Sequence, residues 1–286
     1  MRKTGASRRL VFSLFVILLT AVMVTAAGCG PARSADTLSG TVTVSGSTAL
    51  LPLVQQAAED FMNLHPNVNV VVSGGGSFTG LQQVAAGSVN IGDSDVAAPS
   101  DYASAGLVDH QVAVAPFLIV VNPDVTIDNL TAQQAVDIFT GKITNWKEVG
   151  GPDKPIAIIH RAMSSGSRAT ITAIVLHGAQ FTDKATILNS NGDVRQAISQ
   201  TPGAIGYIDA AYLDSSVKAL KYNGVAYSPE NVANGSYPLF AYEHMYTKGE
   251  PTGATAAFLQ YVLSADFQNK SVTKAGFLPV SAVGGK

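Results

Sequence analysis

The sequence predicts an α/β protein in two lobes, each built around a largely parallel sheet. Three observations predict it. Strand patterns alternate with helix patterns along most of the chain, strand ends coincide with Gly- and Ser-rich turns, and one apolar run is suited to a strand buried on both faces. The composition agrees: 286 residues that are 47% hydrophobic and 13% charged are far too apolar for disorder and supply one large or two medium cores.

The chain opens with Arg2, Lys3, Arg8 and Arg9, followed by 19 uncharged, mostly apolar residues from Leu10 to Gly28. That is the pattern of an export signal, residues 1–28. Ala26, Ala27 and Gly28 then precede the only cysteine, Cys29, as in a bacterial lipobox, which predicts a lipidated Cys29 as the first mature residue. Ala26 departs from the Leu usual at its position. An uncleaved membrane anchor is the alternative, because the apolar run is longer than most signals carry. A twin-arginine signal at "SRRLVF" is a weaker fit. Residues 29–40 read as a flexible tether. Without residues 1–28 the chain keeps 14 basic and 20 acidic residues, a formal charge of −6, which offers no nucleic-acid surface. A lone cysteine forms no internal disulfide, so stability comes from the core.

Past the tether, "GTVTVSGS" is a strand, and "TALLPLVQQAAEDFMNLHP" has helical spacing up to His65-Pro66. "NVNVVVSGGGS" is a strand ending in glycines, and "FTGLQQVAAG" is a short helix stopped by Gly87. "VNIGDSDVA" is a short strand, and "HQVAVAPFLIVVNP" is the doubly buried one. From Asp124 a second series follows: helix "TAQQAVDIFTG", strand "KPIAIIHR", helices "SRATITAIVLHG" and "DVRQAISQ", and strand "GAIGYID". The strand "YPLFAYEHMYT" and a helix "ATAAFLQYVLSADFQNK" close the chain.

Four segments share one design, in which a strand ends and small polar residues follow. They are Ser45-Gly46-Ser47-Thr48, Gly74-Gly75-Gly76-Ser77, Asp93-Ser94-Asp95, and Arg161 with Ser164-Ser165-Gly166-Ser167. In an open α/β sheet such ends gather in one crevice. Unpaired N–H groups at three helix starts would hold an oxyanion there. Thr48, Ser77, Ser165 and Ser167 supply hydroxyls that can cap the helices or donate to the anion, and Arg161 supplies a planar, permanent cation. Asp95 (or equally Asp93) would repel a fully ionised anion. It fits an oxyanion that still carries a proton, through a charge-assisted hydrogen bond of roughly 1.5–3 kcal/mol. Phosphate is protonated near neutral pH and sulfate is not, so the carboxylate would separate them by about three decades of affinity.

These stretches resemble the phosphate-binding lipoproteins that serve bacterial phosphate ABC transporters, which have the type II periplasmic-binding-protein fold. The resemblance runs from about residue 41 to the C-terminus and is most specific in "SGSTALLPL", "GGGSFTGLQQVAAGSVNIGDSD", "FTGKITNWKEVGG", "HRAMSSGSR" and "PGAIGY". It implies Thr48 as hydroxyl donor with the Ala49 N–H beside it, Ser77 as a further ligand, and Asp95 as the carboxylate that takes the ligand's proton. It also implies Arg161 as the guanidinium, with Ser165, Gly166 and Ser167 at the helix start. Met163 stands where some members have an acidic residue, Ser167 replaces the commoner Thr, and Arg168 could reach the ligand, Asp95 or solvent. The fold it implies has two strands joining the lobes, near Pro116–Val121 and Pro238–Tyr242. Residues 41–118 and 240–286 then form a discontinuous lobe one, and 119–239 form lobe two. The implied partners are inorganic phosphate, the subunits of a membrane ABC permease and, through Cys29, the membrane itself. The protein is expected to be a monomer without cofactor or metal.

Other functions fit the residues less well. "SSGS" is not the G-x-S-x-G nucleophile elbow, and His160 lacks an evident acid partner for a hydrolase. The five histidines are scattered, with no pair at metal-ligand spacing, and the glycine triplet lacks the Gly-Lys-Ser/Thr ending of a P-loop. A receptor for another oxyanion or small organic acid, and a tethered phosphate sensor or adhesion protein, stay open as alternatives; a phosphatase-type hydrolase is the remotest.

Overall fold

The structure, a computed structural model, describes residues 38–283. The predicted signal, Cys29 and most of the tether lie outside the described residues. Strand β1 (Gly40–Gly46) leads through a turn into helix α1 (Leu51–Leu64), whose buried Leu53, Val54, Ala57, Ala58 and Phe61 form one helical stripe. Burying a side chain such as Leu53 or Phe61 contributes about 1.5–3 kcal/mol. Strand β2 (Val68–Ser73), helix α2 (Ser77–Ala86) and strand β3 (Ile91–Ser94) repeat the pattern. In β1, β2 and β3 the strands are parallel, in the order β2-β1-β3.

Strand β4 (Leu107–Val121) is exposed or half-buried over its first five residues and fully buried from Val112 onward. Short strand β5 (Asn129–Leu130) and helix α3 (Ala132–Phe139) follow; α3 carries a full capping box between Thr131 and Gln134. Strand β6 (Ala157–Arg161), helix α4 (Gly166–Ile174), strand β7 (Thr186–Leu188), helix α5 (Asn191–Gln200) and strand β8 (Ala204–Asp209) form the second parallel set, in the order β8-β6-β7. Short strands β9 (Lys218–Ala219) and β10 (Lys221–Tyr222) and helix α6 (Pro229–Ala233) lead to β11 (Phe240–Lys248).

The two parallel sets are joined by antiparallel strands. β11 lies between β3 and β4 and runs antiparallel to both. β4 pairs with β11 along its whole length up to Pro116, and from Phe117 to Val121 it pairs antiparallel with β8. The sheet is therefore mixed: parallel at its two ends and antiparallel where the halves meet.

The C-terminal helix is shorter than its sequence pattern predicts. Helix α7 (Gly253–Leu263) stops at Ser264, whose extended backbone and side chain cap a new turn, α8 (Ala265–Phe267), by accepting from the Phe267 N–H.

Candidate functional site

All four polar strand ends come together. Gly46, at the end of β1, lies against the end of β3: the Ser47 N–H donates to the Asp93 carbonyl at 3.0 Å. Helix α2 rests directly on these strands because Gly80 has no side chain; a Cβ there would meet the Ser45 carbonyl oxygen at 2.6 Å and the Gly46 Cα at 2.7 Å. This close approach places Ser77, at the first turn of α2, under Asp95. The Asp95 N–H donates to Ser77 Oγ at 3.0 Å, and Ser77 keeps its own proton to give elsewhere.

From the other parallel set come Arg161, at the end of β6, and the start of α4. Ser167 Oγ donates to Asp95 Oδ2 at 2.7 Å. A Cβ on Gly166 would lie 2.3 Å from Ser77 Oγ and 2.9 Å from Asp95 Cβ, so only glycine fits at this contact. Ser165 caps α4 by accepting from the Arg168 N–H at 3.2 Å, while the first N–H groups of the helix have no intrahelical acceptor. Asp95, Ser77, Gly166, Ser165 and Ser167 thus share one buried point, each no more than 2% exposed where a polar side chain is concerned.

Arg161 is 1% exposed. Its Nη2 donates to Thr48 Oγ1 and to the Asn189 carbonyl, both at 2.9 Å, while its Nε and Nη1 have no partner among the described residues. Burial pulls the guanidinium below its ordinary pKa, and Asp95 is the first group that opposes this. A buried guanidinium with two open N–H directions, next to a carboxylate whose Oδ1 is likewise unpartnered, is a place for a ligand with both acceptor and donor atoms.

Thr48 does not cap its helix. The N-cap of α1 is Leu50, without a side-chain cap, and Ser47 Oγ instead accepts from the Ala49 and Leu50 N–H groups at 3.0 Å each. The Ala49 N–H therefore already has a partner. The Thr48 hydroxyl lies against Arg161 and the Asn191 side chain, and its carbonyl accepts from Tyr212 Oη at 2.6 Å. Ser77 likewise is not an N-cap: that position is Gly76. Both hydroxyls are available to the site because backbone geometry and Ser47, not they, terminate the strands.

Arg168 turns away from Asp95. Its Nη1 donates to the Arg161 carbonyl at 2.9 Å and lies 2.9 Å from His160 Nδ1, which is itself 2.9 Å from that carbonyl, and its guanidinium stands 5.0 Å over the Phe181 ring. Burial, helped by the Arg168 charge and opposed by the hydrogen bond to the Arg161 carbonyl, lowers the His160 pKa from its ordinary value, which favours the neutral ring. His160 also stacks on Phe181 with ring centroids 4.4 Å apart. Met163 is 74% exposed and brings no charge to Arg161. Trp146 is buried, and its Nε1 donates to the Gly203 carbonyl at 2.9 Å, which ties "TNWKEVGG" to "PGAIGY".

Behind the site lies a group of acids, of which sequence reasoning offered only Asp93 and missed Asp209 and Glu243. Asp93, Asp209 and Glu243 are at most 1% exposed. Burial pushes all three carboxyls well above the usual carboxylate range, and the Asp95 charge raises each of them further. Two ionised carboxylates 4 Å apart would repel by about 4 kcal/mol at an effective dielectric of about 20, so a charged Asp95 disfavours ionisation of the acids beside it. The signal was present in the sequence: Glu243 interrupts the apolar strand "YPLFAYEHMYT", and Asp209 ends the apolar strand "GAIGYID".

The model of the PBP superfamily domain matches residues 31–266. The phosphate-binding protein PstS of Bacillus subtilis is 44% identical over 282 residues, covering 94% of each chain. The chain belongs to this family of PBP-superfamily proteins. Among solved structures, a phosphate ABC transporter substrate-binding protein from Clostridium perfringens with bound phosphate superposes with a TM-score of 0.81 at 32% identity, over 84% of this chain and 100% of that one. An ABC-type phosphate transport receptor from Vibrio cholerae gives 0.69 at 28% identity, over 83% and 99%. The two-lobed PBP fold accounts for the arrangement seen here, with two parallel sets facing each other across a shared antiparallel pair.

Proposed function

We propose that this protein binds inorganic phosphate outside the cytoplasm and delivers it to a membrane ABC permease, without chemical turnover. The observation that carries the reading is the opposition of Arg161 and Asp95: one buried cation and one buried carboxylate, each with unpartnered hydrogen-bonding atoms. Phosphate oxygens would take the Arg161 Nε–H and Nη1–H, the hydroxyls of Thr48 and Ser77, and the N–H groups at the start of α4 around Ser165, Gly166 and Ser167. The proton that phosphate retains would go to Asp95, each of whose oxygens has two lone pairs. The PstS name of the Bacillus subtilis relative and the phosphate bound in the Clostridium perfringens structure support this ligand. A binding role rather than catalysis is supported by His160, which packs on Phe181 with its Nδ1 held between the Arg161 carbonyl and Arg168 instead of serving a nucleophile.

In this reading residues 41–118 and 240–286 form one lobe and 119–239 the other. Phosphate favours the closed state because it takes bonds from both lobes, and the closed form is what the permease recognises. The protein works as a monomer, exported by residues 1–28 and held at the membrane by lipidated Cys29.

Calorimetric titration with inorganic phosphate and with sulfate tests the reading. The expected result is stoichiometric, tight phosphate binding, with sulfate weaker by about a thousandfold. Equal binding of the two anions would remove the role given to Asp95, and hydrolysis of phosphate esters would make the protein an enzyme.

A further inference from the structure

Glu243 sits in the middle of β11, the strand shared by both halves, next to the register shift between Glu243 and His244. Its side chain is completely buried, and neither carboxyl oxygen has a hydrogen-bond donor among the described residues. The same holds for Oδ1 of Asp95. Yet the antiparallel register of β11 on β3 pairs His244 with Ser94, which brings Glu243, one residue before His244, opposite Asp95, one residue after Ser94, so that the two carboxyls face each other. Two carboxylates cannot bond; they can do so only if one of them holds a proton. Among the described residues the titratable groups facing Glu243 are Asp95, Asp209 and Asp93, all of them acidic, and none of these favours an ionised Glu243. Asp95, in contrast, faces Arg161 and accepts from Ser167. The proton therefore belongs on Glu243 and the negative charge on Asp95.

We propose that Glu243 is a positioning residue whose carboxylic O–H donates to Oδ1 of Asp95, fixing Asp95 as an ionised acceptor; this rests on the role given to Asp95 above. The bond does two things. It gives Glu243 and Oδ1 of Asp95 the hydrogen bond that they otherwise lack, and it spreads the Asp95 charge away from the incoming anion while leaving a lone pair on each Asp95 oxygen for the ligand's proton. Discrimination between a protonated and an unprotonated anion would then depend on Glu243, which does not touch the ligand.

The test has two arms on the full-length protein. In the first, glutamate is labelled with 13C at its side-chain carboxyl, and the Glu243 signal is identified by its loss in Glu243→Gln. At neutral pH that signal should have the shift of a protonated acid; a carboxylate shift, in a protein that still binds inorganic phosphate, overturns the proposal. In the second, Glu243→Gln keeps a donor and should hold phosphate affinity within about threefold, whereas Glu243→Leu removes it and should lose about tenfold and narrow the phosphate-to-sulfate gap. A Leu variant that folds and matches the unmutated protein in both anions overturns it. If the Leu variant fails to fold, the labelled carboxyl and the Gln variant decide. Absence of phosphate binding in the unmutated protein would instead reject the function proposed above, whatever the state of Glu243.

Discussion

In the proposed phosphate site Asp95 and Arg161 take opposite roles, and a substitution can isolate each. Asp95→Asn keeps the shape and still accepts from Ser167, but its amide brings a donor to the point where a retained ligand proton has to go. Calorimetry should show weaker phosphate binding, a gain for sulfate and loss of most of the gap between them. Arg161→Lys keeps the charge and loses the fork. An ammonium cannot satisfy Thr48 and Asn189 while also presenting two parallel donors to an anion, so phosphate affinity should fall about tenfold to a hundredfold. Both residues could be placed from the sequence because they stand at polar strand ends, Arg161 as the last residue of β6 and Asp95 just past β3. Glu243 and Asp209 were not, since one acid in an apolar strand does not reveal which other acids it will face.

At the scale of elements, the start of α4 is fitted against Ser77 and Asp95 at Gly166. Gly166→Ala would drive a methyl into Ser77 Oγ, and overpacking of this kind costs about 1–3 kcal/mol. Because the clash exists only where α4 meets α2 and β3, we expect phosphate affinity to drop by about tenfold or more while the phosphate-free melting temperature changes little; calorimetry and thermal melts check the two halves. Most elements could be read from periodicity, including α1, α5 and the doubly buried end of β4. The direction of pairing could not. A strand such as β11 has the same apolar pattern whether its neighbours run parallel or antiparallel, and the three-residue β7 is too short to show any period. The break at Ser264 was hidden because the sequence on both sides of it is helix-forming.

Over the whole molecule, the buried acids set how stability responds to pH. Asp93, Asp209 and Glu243 have folded-state pKa values raised above their unfolded ones, so below the ordinary carboxyl range both states are protonated and the groups cost nothing. As pH rises past that range the unfolded chain releases protons that the folded one keeps, and stability falls. Asp124, Asp137, Asp214 and Glu230 are shifted the opposite way, so their contribution is present above that range and lost as pH falls through it. Thermal melts of the phosphate-free protein should therefore peak at mildly acidic pH and decline toward alkaline pH, less steeply in Glu243→Gln. The place of β11 has a further consequence, for biogenesis. The strand is inserted between β3 and β4, yet it is synthesised after every residue of the second parallel set. Until it arrives, β3 and β4 present open edges, so the first half cannot finish folding on its own. A growing chain therefore lacks the middle of its sheet until residues 240–248 have been made, and only this last strand joins β3 to β4.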